Sequence, residues 1–131
     1  MAISPDILRG LLFELAQWLE FENCELVEWV ICGGAAMALS EFNVRATQDV
    51  DVVGAWNANR SKIESLDDFS EPLKSCIARV AAGHPELAGF GQQWVNLGPA
   101  KLVRFGLPPQ FEKRMKSMQF GRKLTLASSG P

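Results

Sequence analysis

The sequence predicts an α/β (α+β) domain: a small mixed β-sheet with helices packed against it. Three observations lead there. Leucines recur at helical spacing over residues 5–21, valine-rich stretches at 25–32 and 48–56 have the pattern of strands, and a second amphipathic repeat follows at 70–83. At 131 residues the chain has room for one core and not two, so residues 1–131 are expected to form a single domain.

The first helix is expected over 5–21, with Leu8, Leu11, Leu12, Leu15 and Leu19 on one face, Ser4 as N-cap and Pro5 at the first helical position. "ELVEWVIC" is rich in β-branched and aromatic residues and ends at Gly33, which reads as a strand buried on both faces. "GGAAMALSEF" then reads as a short helix. "QDVDVVGAW" alternates carboxylate with valine, so a strand here directs Asp49, Asp51 and Val53 one way and Val50 and Val52 the other. Residues 57–69 are polar and patternless. "SEPLKSCIARVAAG" predicts a helix capped by Ser70 and stopped by Gly83, with Leu73, Ile77 and Val80 on its buried face. From 84 to 110 glycine and proline accumulate and no element is assigned. A short helix around Gln110 to Met118 and a short strand around Lys123 to Ala127 complete the expected set.

Composition narrows the function classes. With 47% hydrophobic and 21% charged residues the chain is globular. No apolar run approaches the roughly 18–20 residues needed to cross a bilayer, and no basic region leads into an apolar block at the N-terminus, so a cytoplasmic protein with no membrane partner is expected. Cys24, Cys32 and Cys76 form no C-x-x-C pair and are expected to fill core space, and with His84 as the one histidine a zinc site is disfavoured. Any metal here would be held by oxygen. Residues 1–99 carry six basic and fourteen acidic side chains, whereas 100–131 carry seven basic and one acidic. That basic quarter reads as a solvated face or, more sharply, as a surface toward phosphate.

Within "ICGGAAMALSEFNVRATQDVDVV" the polar residues have a chemistry in common. Carboxylates at i and i+2 of a strand project from one face with Cα atoms about 6.5–7 Å apart. They repel unless a cation compensates, and a hard ion such as Mg²⁺ suits them because it prefers carboxylate oxygen and shares substrate phosphates. Gly33 and Gly34 stand where a strand is expected to turn into a helix, leaving room for a phosphate at outward-pointing backbone N–H groups. Arg45 either neutralises the aspartates or touches phosphate, and Thr47 suits a local backbone bond.

This order of residues resembles the polymerase-β-like nucleotidyltransferases, in which Gly-Gly or Gly-Ser opens a helix and an Asp-x-Asp strand follows. "RATQDVDVV" is similar to the R-x-T-x-D-x-D of the branch that includes AbiEii-like toxins. The resemblance is strongest over 27–53; "WVNLGPAKLVRFGLPPQFEKR" is similar to a later W-h-N, G-L-P and basic helix in relatives. It implies transfer of a nucleoside monophosphate from a nucleoside triphosphate to a hydroxyl on RNA, protein or a small molecule. By that resemblance Asp49 and Asp51 are catalytic and bind Mg²⁺ (or Mn²⁺), Gly33, Gly34, Arg45 and Thr47 bind nucleotide, and an antitoxin is a partner. Trp94 and Asn96 read as core packing with a buried polar anchor. The resemblance also implies a third carboxylate from a later strand, yet "RKLTLAS" contains no acid, which leaves Glu86 and Glu112, and a further Lys-containing helix beyond "SSGP", so the domain is expected to be truncated or degenerate at its C-terminus. The alternative is a non-catalytic module of the same fold that binds a partner protein or nucleic acid through its basic C-terminal segment.

Overall fold

In the computed structural model, residues 4–32, 50–56, 63–64, 68–84, 87, 94–97 and 115–129 are described. Helix α1 spans Pro5–Phe21, and it starts where the sequence requires: the Ser4 side chain accepts a hydrogen bond from the Ile7 N–H at 3.3 Å, with proline in the first turn. All five leucines of the repeat are buried. Strands β1 (Val27–Cys32), β2 (Val50–Trp56), β3 (Ile63–Glu64), β4 (Val95–Asn96), β5 (Met115–Phe120) and β6 (Leu124–Ser129) form one six-stranded mixed sheet in the order β3-β2-β1-β6-β5. The short β4 also pairs with β2, beside its first two residues, while β3 pairs with its last two. β1 runs parallel to β6 and antiparallel to β2.

Helix α2 spans Leu73–Ala82 and buries Cys76, Ile77 and Val80. Its start differs from the expected Ser70 cap. Pro72 occupies the N-cap position, and it is the Glu71 carboxylate that accepts from the Ser75 N–H at 3.0 Å and the Ser75 Oγ at 2.6 Å. Ser70 contributes its backbone carbonyl to the Lys74 N–H. A carboxylate one turn below the first free N–H groups satisfies them better than a hydroxyl one residue further back. Gly83 does end the helix, but at φ −87, so the stop does not use a left-handed residue.

The expected helix around Gln110 to Met118 is corrected over 115–118, which belong to β5; residues 110–114 lie outside the described residues. Half-buried Met118 and buried Phe120 alternate with exposed Ser117 and Gln119, a period of two that the neighbouring run of charges obscures. Gly121, at φ +67, supplies the left-handed turn that folds β5 back on β6, pairing Phe120 with Leu124.

Both helices cover one face of the sheet. Their leucines, Ile77 and Val80 share a core with Trp29, Ile31, Val50, Val52, Val95, Leu124 and Leu126. Cys24 and Cys76 sit buried in this core as free thiols, and burial pushes the Cys76 thiol up to about 11, helped by the adjacent Cys24. Glu14 of α1 contacts His84 just past α2, and Arg79 of α2 lies 4.9 Å from the Trp18 ring centre, so the two helices are also tied at the surface. On the other face of the sheet Val30 and Ala127 are buried outside that core.

Candidate functional site

Sheet register decides where Asp51 stands. Cross-strand partners share a face, and Asp51 pairs with Cys32 on β1 and with Asn96 on β4. Ile31 and Val52, one step along, point into the helix-covered core, as do Val50 and its partner Val95. Asp51 and Asn96 therefore lie on the opposite face, and each is half-buried. The alternation expected in "QDVDVV" holds from Val50 to Val52. It breaks at Val53, the extra residue of a bulge where the pairing steps from Val30↔Gly54 to Ile31↔Val52.

The antiparallel pairing also fixes which ends of the chain meet. β1 finishes at Cys32, one residue before Gly33 and Gly34, and β2 begins at Val50, one residue after Asp49. Cys32 is the partner of Asp51, so the point where the chain departs into the glycine pair and the point where it returns from "RATQD" are at one end of the sheet. Gly33, Gly34, Arg45, Thr47 and Asp49 themselves lie outside the described residues, as does the short helix expected from Gly33. The alternative third carboxylates, Glu86 and Glu112, lie outside them too.

The fit of these residues to a divalent cation can be judged at Asp51. Among the described residues its carboxylate has no salt bridge and no side-chain hydrogen bond. Its neighbour across β4 is an amide, another hard oxygen donor. No group of three His, Cys, Asp or Glu side chains converges among the described residues. One carboxylate and one amide oxygen are compatible with a hard ion that draws its remaining ligands from elsewhere, and unsuited to a soft one.

Asn96, expected as a buried polar anchor, is half-buried, and the pairing of the two-residue β4 with β2 places it level with Asp51 on the face away from the helices. Trp94 does what was expected of it: the ring is fully buried and its Nε1–H donates to the Ile77 carbonyl at 3.0 Å.

Two other surface features are remote from Asp51. A cleft of about 410 Å³ lined by Glu25, Trp29, Ala55, Trp56, Phe69 and Leu73 lies at the other end of β1 and β2. Of the basic quarter, three cations are among the described residues: Lys116 is near the start of β5, opposite Ser128, and Arg122 and Lys123 are in the turn past its far end, Phe120, which is about 13 Å from Lys116 at about 3.3 Å per residue. No helix among the described residues is long and apolar enough to cross a membrane.

A family model described as "Nucleotidyltransferase of unknown function (DUF6036)" matches residues 10–128. Neither a curated protein nor a solved structure matches the chain. The matched stretch runs from inside α1 into β6 and so reaches every strand of the sheet, Asp51 and Asn96 included. The chain belongs to the DUF6036 family of nucleotidyltransferases.

Proposed function

We propose that this chain transfers a nucleoside monophosphate from a nucleoside triphosphate to a hydroxyl acceptor, using Mg²⁺ or Mn²⁺ at Asp49 and Asp51. The reading is carried by one observation: the pairing of Cys32 with Asp51 brings the approaches to Gly33-Gly34 and to Asp49 to one end of the sheet. The family match supports the same class of reaction. In this reading the glycine pair accepts the triphosphate and Arg45 and Thr47 flank it, while Asp49 and Asp51 hold the cation. When bound, the ion lowers the charge on the phosphates and orients them for displacement at the α-phosphorus. The acceptor hydroxyl is on RNA or protein, and the R-x-T-x-D-x-D resemblance supports a toxin-like role with an antitoxin as partner.

Calorimetry with nucleoside triphosphate and Mg²⁺ tests the binding half of this reading. Wild type should bind, and Asp51→Asn should lose the metal-dependent part. Saturation at a hundredfold excess over Kd should stabilise wild type by about 2.7 kcal/mol. Absence of heat and of thermal shift at millimolar concentrations of all four nucleotides would contradict it.

The non-catalytic alternative, in its nucleic-acid form, makes a different prediction. That alternative requires binding that weakens steeply with salt as phosphate counterions are released. A salt series with single-stranded RNA distinguishes the two.

A further inference from the structure

We infer that the outer edge of β5 is a self-association surface, through which two copies of this chain join their sheets by antiparallel β5–β5 pairing about a two-fold axis. β5 ends the order β3-β2-β1-β6-β5, and among the described residues no strand pairs with its outer side. Alternate residues of such a strand leave N–H and C=O groups pointing outward, a template for another strand.

Sheet edges are ordinarily guarded by shortness, bulges, proline or charge. The opposite edge follows that rule, since β3 is two residues long. β5 follows little of it. Its sequence, MKSMQF, pairs with β6 in unbroken register from Met115 to Phe120, contains no proline and carries one charge, Lys116, close to one end. Met118 and Phe120 face the helix-covered core, so Ser117 and Gln119 lie on the other face, where both are exposed.

A second copy fits this edge for three reasons. Antiparallel pairing of a strand with itself is symmetric and closes after two copies. With Met118 opposite its own counterpart, Ser117 faces Gln119 of the second copy and Lys116 faces its Phe120, so the helix-covered faces stay in line and no two like charges are opposed. Phe13 of α1 is half-exposed although its ring meets that of buried Phe120 edge-on, with 5.1 Å between centres, so each copy also sets an apolar side chain beside the edge. One short strand and one ring bury less than a standard stable interface, which makes the dimer concentration-dependent. Three strand spacings of about 4.8 Å separate β5 from β2, so pairing leaves the Asp51 strand uncovered, and the inference stands independently of the proposed reaction.

Analytical ultracentrifugation at low salt, from micromolar to millimolar chain, tests this on wild type, on Ser117→Lys/Gln119→Lys, on Ser117→Glu/Gln119→Glu, and on an equal mixture of the two double variants. Circular dichroism checks that each is folded. Wild type should dimerise as its concentration rises, and go no further. In each double variant like charges meet twice across the two-fold, so self-association should weaken by about fivefold or more. The mixture sets Lys against Glu and should associate at least as well as wild type. Amide exchange in wild type needs no variant: along Ser117 to Gln119 it should slow with concentration. Wild type that stays monomeric at millimolar concentration overturns the inference, even where the edge accepts a strand of another protein. Undiminished dimers of both double variants, failure of the mixture to re-associate, or exchange along β5 that ignores concentration overturns it equally.

Discussion

Replacing Trp94 by phenylalanine should destabilise the protein by about 2–3 kcal/mol, the sum of two losses. The indole Nε1–H donates to the Ile77 carbonyl at 3.0 Å in a fully buried setting, and a hydrogen bond of that kind contributes about 1 kcal/mol. The smaller ring also removes apolar atoms comparable to about two methylenes from a site with no exposure, at about 0.8 kcal/mol each, before any cost of the cavity left behind. For a chain of this size 1 kcal/mol corresponds to roughly 3–5 °C, so the melting temperature should fall by about 6–15 °C. Urea unfolding measures the free energy, and hydrogen exchange locates it: the Val95 and Asn96 amides should exchange faster in the variant while those of Trp29 and Val30 keep their protection. A loss under about 1 kcal/mol with unchanged exchange at Val95 would refute the reasoning that this ring fixes β4.

Gly121→Ala should cost about 1–2 kcal/mol in urea unfolding, because φ is +67 and a Cβ there would approach the Ala16 Cβ to 3.1 Å; Gly83→Ala, at an ordinary φ with nothing nearer than 3.8 Å, should be near neutral. The Cys76 thiol, raised from 9.0 to about 11, should resist thiol reagents in the native protein at pH 8. Its proton is held more tightly folded than unfolded, so this contribution to stability is present below about 9 and lost as pH rises toward about 11, which melts across that range will register. Glu71 is held below its ordinary 4.5 by its hydrogen bonds to the Ser75 hydroxyl and N–H, so the cap of α2 is intact above 4.5 and is lost as pH falls through the lowered value; Glu71→Gln should remove this pH dependence and speed exchange of the Ser75 amide.

What the sequence revealed and what it hid follow from how each feature is encoded. α1 was legible to its ends because five leucines, Ser4 and Pro5 all specify the same helix locally. β1 and β2 were legible from composition, whereas their antiparallel pairing and the bulge at Val53 have no local signature. β5 was misread because its alternation is short and begins beside "EKR", where a helical period and a strand period cannot be told apart. The start of α2 was misplaced because Ser and Glu are both plausible caps, and the turn through Pro72 decides between them. Asp51 was visible as half of a spaced carboxylate pair. That Asn96 stands level with it was not, since the two are 45 positions apart in the chain and meet only through pairing of β4 with β2.

The central claim is nucleotidyl transfer dependent on Asp51, and the position of a radioactive label tests it most directly. The protein is incubated with Mn²⁺, total RNA or protein from cells, and nucleoside triphosphates labelled at either the α- or the γ-phosphorus. In the proposed reaction an acceptor hydroxyl bonds to the α-phosphorus, the bond to the bridging oxygen breaks, and pyrophosphate leaves with the proton passing to solvent. The account predicts that α-label becomes attached to a macromolecule, that γ-label is released as pyrophosphate, and that Asp51→Asn abolishes both. Transfer of γ-label to the acceptor, no transfer with any of the four nucleotides, or undiminished α-label transfer by Asp51→Asn would contradict it.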